Sequence, residues 1–162
     1  MAETFTQYCS GVAFAASRVM AGIKNKHASE KLKIKRIGLL NGQTAAVTGV
    51  LCNLEVRKDE ANPTWTGPTV GVITEHDSTN TLPASYDQGH TGTFTASGSQ
   101  TTLRRTNWSS DEAAVSGATM DELECFVPLN IIFDPGYGDA DAQPLVLNQN
   151  EMLYVWNVSG AA

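Results

Sequence analysis

The stretch Pro144-Leu-Val-Leu-Asn-Gln-Asn-Glu-Met-Leu-Tyr-Val-Trp-Asn-Val158 decides the fold. Two apolar runs, Leu145 to Leu147 and Met152 to Val158, flank a polar tetrad that is typical of a turn. In the second run both faces of a strand would be apolar, with Met152, Tyr154, Trp156 and Val158 on one face and Leu153 and Val155 on the other. Such a strand is usually central and covered from both sides. The stretch therefore predicts an antiparallel hairpin buried inside a β-sandwich.

The rest of the chain fits the same class. Its 162 residues are 41% hydrophobic and 17% charged, which suits one domain with a sizeable core. Short apolar runs separated by turns, with no long helical pattern, predict an all-β chain folded as an antiparallel, jelly-roll-like β-sandwich. We assign residues 1–10 to an N-terminal arm and residues 11–162 to a single β-sandwich domain.

Charge and cysteine content exclude several classes of function. Asp plus Glu number 17 against 11 Lys plus Arg, a formal charge of −6, so nucleic acid is not an expected partner. No apolar run approaches the roughly 18 residues of a membrane span, and no secretory signal is visible, so no membrane partner is expected. Cys9, Cys52 and Cys125 are odd in number and widely spaced, which predicts reduced thiols in a chain made in a cytoplasm.

Several segments have a pattern clear enough for a prediction. For residues 11–25 the periodicity allows a helix or a strand, and we favour extended structure over Arg18 to Asn25. Residues 1–10 could be a free arm or a first edge strand. The strand predicted over Lys31 to Leu40 has a β-bulge near Lys35-Arg36 and ends at Asn41-Gly42, and the strand predicted over Val47 to Lys58 has one face exposed to solvent. Further strands are predicted over Thr69 to Glu75, Thr101 to Trp108 and Leu123 to Phe133. Loops are predicted over Asp59 to Pro68 and His76 to Gln100.

No stretch carries a convincing reaction centre. Glu75-His76-Asp77 contains acid and base, but neighbouring strand residues point to opposite faces, so turn polarity explains it better. Asp134, Asp139 and Asp141 lack the spacing of an EF-hand. We therefore expect no catalytic, cofactor-binding or metal-binding residue and no enzyme activity. Burial of Trp156 in the core strand predicts that Trp156→Ala costs about 3–5 kcal/mol.

A group of motifs along the chain resembles a known family. In order, they are Lys33-Ile-Lys-Arg-Ile-Gly-Leu-Leu-Asn41, Thr48-Gly-Val-Leu51, Glu55-Val-Arg57, His76-Asp-Ser78, Leu82-Pro-Ala84, Arg104-Arg105, Trp108-Ser109, Asp111-Glu112, Val127-Pro-Leu-Asn130 and Gly136-Tyr-Gly-Asp139. They resemble small β-sandwich proteins encoded among the structural genes of tailed bacteriophages. Members with an assigned role resemble capsid auxiliary proteins, also called cement or decoration proteins. The tetrad before Met152 departs from the glycine-containing turn expected there.

The resemblance implies a structural virion protein on the exterior of an icosahedral phage head. Its implied partners are the major capsid protein and itself, as a homotrimer near local three-fold positions. The expected contact regions are the Met1 to Ser10 arm and the His76 to Gln100 excursion, and the candidate contact residues are Phe5, Tyr8, Tyr86, Phe94, Arg104 and Trp108. The alternative function is a glycan-binding β-sandwich module of a head or tail fibre, because Trp65, Trp108 and Trp156 have rings on which sugars could stack.

Overall fold

The computed structural model describes residues 4–12, 15–39, 50–79, 85–110, 130–136 and 143–159. Within these ranges the regular structure is all β, with no helix and therefore no helix long and apolar enough to span a membrane. The strands are β1 (Phe5–Tyr8), β2 (Arg18–Asn25), β3 (Leu32–Ile34), β4 (Ile37–Leu39), β5 (Val50–Asp59), β6 (Thr64–Thr66), β7 (Val72–Glu75), β8 (Tyr86–Gly89), β9 (Thr93–Thr95), β10 (Gln100–Ser110), β11 (Asn130–Phe133), β12 (Leu145–Leu147) and β13 (Met152–Asn157).

The largest element is a five-stranded antiparallel sheet in the order β10-β5-β13-β2-β8. Strand β13 lies at its centre, with Val155 opposite Val56 of β5 and opposite Ala21 of β2. The predicted central position of this strand is therefore confirmed. Extended structure over Arg18 to Asn25 is confirmed as well, because these residues form β2.

Each face of this sheet carries its own apolar core, so the sheet is covered on both sides. The first core joins the sheet to the ribbons β3–β12 and β4–β11, and its buried members are Met20, Cys52, Leu54, Val56, Ile132, Leu147, Leu153 and Val155. The second core joins the other face to the ribbon β6–β9, and its buried members are Val19, Trp65, Met152 and Tyr154. These layers make an all-β sandwich; the jelly-roll topology stays a prediction.

The predicted hairpin is wrong, because its two strands lie in different layers. Strand β12 pairs with β3, whereas β13 pairs with β2 and β5. The tetrad between them closes on itself, with the amide of Asn148 donating to Oε2 of Glu151 at 2.8 Å and the amide of Glu151 donating to the Asn148 carbonyl at 3.2 Å. The chain thus turns from one layer into the other instead of folding back beside itself.

The buried side chain of Asn25 holds this change of layer. Two strand pairs, β2 with β13 and β3 with β12, run through the bend together. At the bend the Asn25 amide group donates to the carbonyls of Leu147 at 3.0 Å and Glu30 at 2.9 Å, and its oxygen accepts from the amide of His27 at 2.9 Å. Its backbone also bonds to the tetrad on both sides, at Asn150 and Glu151. One side chain therefore satisfies backbone groups of both connections.

Several loop and core predictions need correction. The predicted strand over Lys31 to Leu40 is broken at Lys35-Arg36 into β3 and β4, which pair with different strands, so the shift in phase is a break and not a bulge. The predicted loop Asp59 to Pro68 contains β6, and Trp65 is buried in the second core. The excursion His76 to Gln100 contains β8 and β9.

Burial of the central strand is close to expectation with one exception. Leu153, Val155 and Leu54 are buried in the first core as predicted. Trp156 is only half-buried and packs at the margin of the second core, so the loss expected for Trp156→Ala is lower than the sequence predicts. The predictions for Asn41-Gly42, Asp139, Asp141, Cys125 and residues 123–129 of the last predicted strand lie outside the described residues.

The small residue Gly22 lets the second core close. A Cβ atom on Gly22 would lie 2.8 Å from Cε of Met152 and 3.3 Å from the ring of Trp65. The Trp65 indole therefore packs closely against Gly22 of β2, and its Nε1 donates to the carbonyl of Thr91, just beyond the end of β8, at 2.8 Å. This contact attaches the ribbon β6–β9 to the sheet.

We expect Asn25→Ala to destabilise the fold strongly, because it leaves buried backbone groups without partners, at about 1–3 kcal/mol for each unsatisfied group. Urea unfolding at neutral pH measures the loss. The matched control is Asn53→Ala, at an exposed strand position, which should change the unfolding free energy by less than about 0.5 kcal/mol. Equal stability of the two variants would show that Asn25 does not hold the bend.

Candidate functional site

The six predicted contact residues do not form one surface. Tyr86 lies on β8 and Arg104 on β10, at opposite edges of the five-stranded sheet, so four strand spacings, or roughly 19 Å, separate their strands. Phe94 is half-buried against the second core, with its ring centroid 4.6 Å from that of Tyr154, and its role as a contact residue stays a prediction. Trp108 lies on β10, and its side chain is outside the described part of the chain.

Phe5 and Tyr8 lie on β1, which pairs with β7 along its whole length. Of the two alternatives for this segment, the structure has the strand and not the free arm. Tyr86, on the edge strand β8, is half-buried. Tyr8 is the one predicted aromatic contact residue that is exposed among those whose side chains the structure describes.

The ribbon β1–β7 presents an exposed face that we call the outer ribbon face. Its members are Thr6, Tyr8, Val72 and Thr74, together with Val70 just before the strand. Tyr8 and Val72 lie directly opposite each other and are 56% and 61% exposed, and Val70 is 72% exposed. On the other face Phe5, Gln7 and Ile73 are half-buried. The ribbon and the segment just before β7 thus expose three large apolar side chains, which is a recognised mark of an interaction site.

Few polar contacts tie this ribbon to the body. The amide group of Gln7 donates to the carbonyl of Gly22 at 3.3 Å, and that of Gln88 donates to the carbonyl of Gly71 at 2.9 Å. In the described part of the chain β1 and β7 pair only with each other, so each has an outer edge that no other described strand covers. Exposed edges of this kind accept strands from partners.

A second surface feature is a groove on strands β5 and β10, at the β10 edge of the five-stranded sheet. This sheet groove has a volume of about 360 Å³ and is lined by Asn53, Leu54, Glu55, Arg105, Thr106, Asn107 and Val158. Asn53 and Asn107 face each other across β5 and β10, both are exposed, and their side-chain amides make no hydrogen bond within the described residues. Two free amides side by side can bond to hydroxyl or peptide groups.

Beside the groove lies a compact charged cluster centred on Glu55. One oxygen of its carboxylate is 2.6 Å from the Arg57 guanidinium and the other is 2.9 Å from Nε of Arg105. Burial raises the pKa of Glu55, but the hydrogen bond and charge of Arg57, the charge of Arg105 and the Thr102 hydroxyl together lower it below the ordinary value. Arg57 also lies over the Trp156 ring, 5.4 Å from its centroid.

The His and Asp side chains of the acid–base and aspartate motifs make local structural contacts. Nε2 of His76 is 2.7 Å from Oγ1 of Thr6, and Asp77 accepts from Thr79, so this segment joins the β1–β7 ribbon and closes a turn. Asp134 pairs with Arg36 at 3.0 Å and accepts from the amide of Gly136. Among the described residues no group of three or more His, Cys, Asp or Glu side chains could hold a metal ion. Cys9 and Cys52 are free thiols.

Sequence reasoning missed the two surfaces but had signals for both. The predicted strand Thr69 to Glu75 has Val70 and Val72 on one face, and an apolar pair without a core partner indicates an exposed patch. Alternation along β5 puts Asn53, Glu55 and Arg57 on one face and predicts that this face is wet; Asn53 is exposed there, but Glu55 is buried and Arg57 is half-buried. The missing information was which strand lies beside β5, since Arg105 and Asn107 enter only through the pairing with β10.

We expect Glu55 to make stability sensitive to acid. Its pKa is lowered in the folded state, so its contribution is complete above its unfolded pKa of about 4.3 and is lost as pH falls through the folded value. In Glu55→Gln the unfolding free energy, measured with urea at several pH values, should therefore fall less steeply below pH of about 4. Glu60→Gln, at an exposed carboxylate that contacts Lys58, is the control and should follow the wild type. Identical slopes for wild type and Glu55→Gln would contradict this.

Comparison with known proteins assigns no family. No protein-family model, curated protein or solved structure matches the chain.

Proposed function

We propose that this protein is a structural component of a phage virion, a cement or decoration protein that binds the outer surface of an icosahedral head and stabilises it. The observation that carries the proposal is the outer ribbon face, where Tyr8 and Val72 are exposed opposite each other on a two-stranded ribbon and Val70, just before the ribbon, is exposed as well. The proposed partners are the major capsid protein and further copies of this chain, and the site of action is the capsid exterior.

The outer ribbon face has the composition of a small protein interface. An aromatic ring and two valines form its centre, and Thr6 and Thr74 form a polar margin next to them. Interfaces typically combine an apolar centre containing Tyr or Trp with a polar rim. Among the described residues the outer edges of β1 and β7 pair with no other strand, so they offer backbone donors and acceptors that a shell protein could pair with.

The body behind the ribbon suits a passive, load-bearing role. Because the sheet is covered on both faces, both faces of its central strand are buried, and the buried residues form two separate clusters, one on each side. A sheet packed in this way resists local opening, because its inner strands are released only when the layers on both sides come away. Such a body keeps its shape while the ribbon at its margin makes contacts.

The proposed assembly is a homotrimer at or near the local three-fold positions of the head. At such a position three equivalent shell surfaces meet, and a three-fold assembly matches them with one repeated contact. A single outer ribbon face in each copy then supplies one shell contact in each of three directions.

A second candidate function is glycan binding at the sheet groove. It is favoured by the free amides of Asn53 and Asn107 facing each other beside the Glu55–Arg105 pair, because planar polar side chains suit the hydroxyl groups of sugars. Trp156 lies next to this cluster under Arg57. The groove and the outer ribbon face use different residues, so the two functions can be separated by mutation.

We expect Val72→Asp to reduce occupancy on empty heads at least tenfold, because it introduces a charge at the centre of the outer ribbon face. Co-sedimentation of the purified protein with heads that lack it measures the occupancy. Val158→Asp is the matched control, since Val158 is an exposed valine in the sheet groove, and it should bind heads as the wild type does.

The same pair of variants tests the second candidate. On a glycan array, wild-type binding that is lost in Val158→Asp and kept in Val72→Asp would support the groove as a glycan site. Head binding unaffected by Val72→Asp would remove the outer ribbon face as the shell contact. Absence of head binding by the wild type would overturn the proposed function.

A further inference from the structure

Lys24 is a cationic side chain in an unusual place. It lies on β2 opposite Met152 of β13, and it is 8% exposed on the face of the second core. Asp59 of β5 lies opposite the same Met152 from the other side and is fully buried. Burial lowers the pKa of the Lys24 ammonium, and the nearby charge of Asp87 offsets only part of the effect. Lys24 therefore has a larger fraction of neutral amine than an ordinary lysine has.

The carboxamide of Asn62 lies at the end of this side chain. Nζ of Lys24 donates to Oδ1 of Asn62 at 2.8 Å and to the carbonyl of Pro63 at 2.7 Å. The carbon of the carboxamide is one covalent bond beyond that oxygen, so the amine nitrogen and the amide carbon are already neighbours.

The turn that carries Asn62 is held firmly. Asn62 has a positive φ of 60°, and Pro63 next to it is fully buried. The carboxylate of Asp59 accepts from the amide of Ala61 at 3.2 Å and from the amide of Ser97 at 2.9 Å. Asp59 is thus a positioning residue that holds the turn over Lys24. The exposed side chain of Asn62 leaves a path to solvent for a small leaving group.

The geometry points to a covalent cross-link, an amide bond between Nζ of Lys24 and Cγ of Asn62 that the folded chain forms without a cofactor. Lys24 first releases a proton to solvent, and the neutral amine attacks Cγ of Asn62. The bond between Nζ and Cγ forms, the bond between Cγ and Nδ2 breaks, and one amine proton passes to Nδ2, which leaves as ammonia. Atoms and electrons balance without any oxidant or further reactant.

This cross-link would join the five-stranded sheet to the segment between β5 and β6. The ribbon β6–β9 that follows covers the second core, so the new bond would hold that cover on the sheet. Closing a loop covalently restricts the unfolded chain in the same way as a disulfide, and it needs no oxidising compartment. The inference is independent of the proposed capsid function, because it concerns the body and not the outer ribbon face.

Intact-mass measurement of the purified wild-type chain tests the inference. We expect a mass lower than that of the sequence by one ammonia, in a fraction that grows on incubation of the folded protein. Tryptic digestion should then yield one branched peptide that joins Lys24 to Asn62, with cleavage after Lys24 blocked. A wild-type mass equal to that of the unmodified sequence after long incubation would overturn the inference.

Two variants distinguish this bond from other losses of ammonia. Lys24→Arg keeps a cation that can donate to the same two oxygens but removes the nucleophile, so the loss should vanish. Lys26→Arg, at the lysine that pairs with Asp87 at 2.6 Å, is the matched control and should keep it. Loss of ammonia that persists in Lys24→Arg would indicate cyclisation of an asparagine on its own backbone, and would refute the cross-link.

Discussion

The rest of this structure depends on a strand that has to be covered on both faces. Leu153 and Val155 of β13 lie in one core, and Met152 and Tyr154 lie in the other. Exposing either face to water would lose about 1.5–3 kcal/mol for each large apolar side chain, so neither layer can be omitted. The five-stranded sheet positions β13 at its centre, and the ribbons on each side exist to cover it.

Because β13 is covered by one layer on each face, the chain has to pass from one layer to the other at a defined place. Asn25 stabilises the bend at that place. Its side chain bonds to the carbonyl of Leu147 in one connection and to that of Glu30 in the other, so both connections bend together. The pattern of residues 144–158 predicted the central strand, because apolar residues on both faces are visible in one sequence. It could not predict the bend, since a hairpin and a change of layer need the same polar tetrad. Only the partner of β12 distinguishes them, and that partner lies more than a hundred residues away, at Leu32 to Ile34.

The same limit explains what was missed at the surface. Alternation along β5 predicts that Glu55 faces solvent with Arg57, but Glu55 is buried, and its second ion pair comes from Arg105 on a strand that no local pattern links to β5. The outer ribbon face likewise arises because β1 pairs with β7, which places Tyr8 opposite Val72. For Phe94 the sequence shows an isolated aromatic in a polar segment, and only the pairing of β9 with β6 places its ring against Tyr154. These strand pairings together give a rigid body with interaction features at its margins.

Native-state hydrogen exchange tests the central strand most directly, because each backbone amide reports the free energy of the opening that exposes it. If β13 is the doubly covered centre, the amides of Tyr154 and Val155 should exchange only through global unfolding, with a free energy equal to that from urea denaturation. Amides of Thr6 and Gln7 in the β1–β7 ribbon should exchange at much lower free energy. Exchange of Tyr154 and Val155 as fast as that of Thr6 and Gln7 would contradict the account.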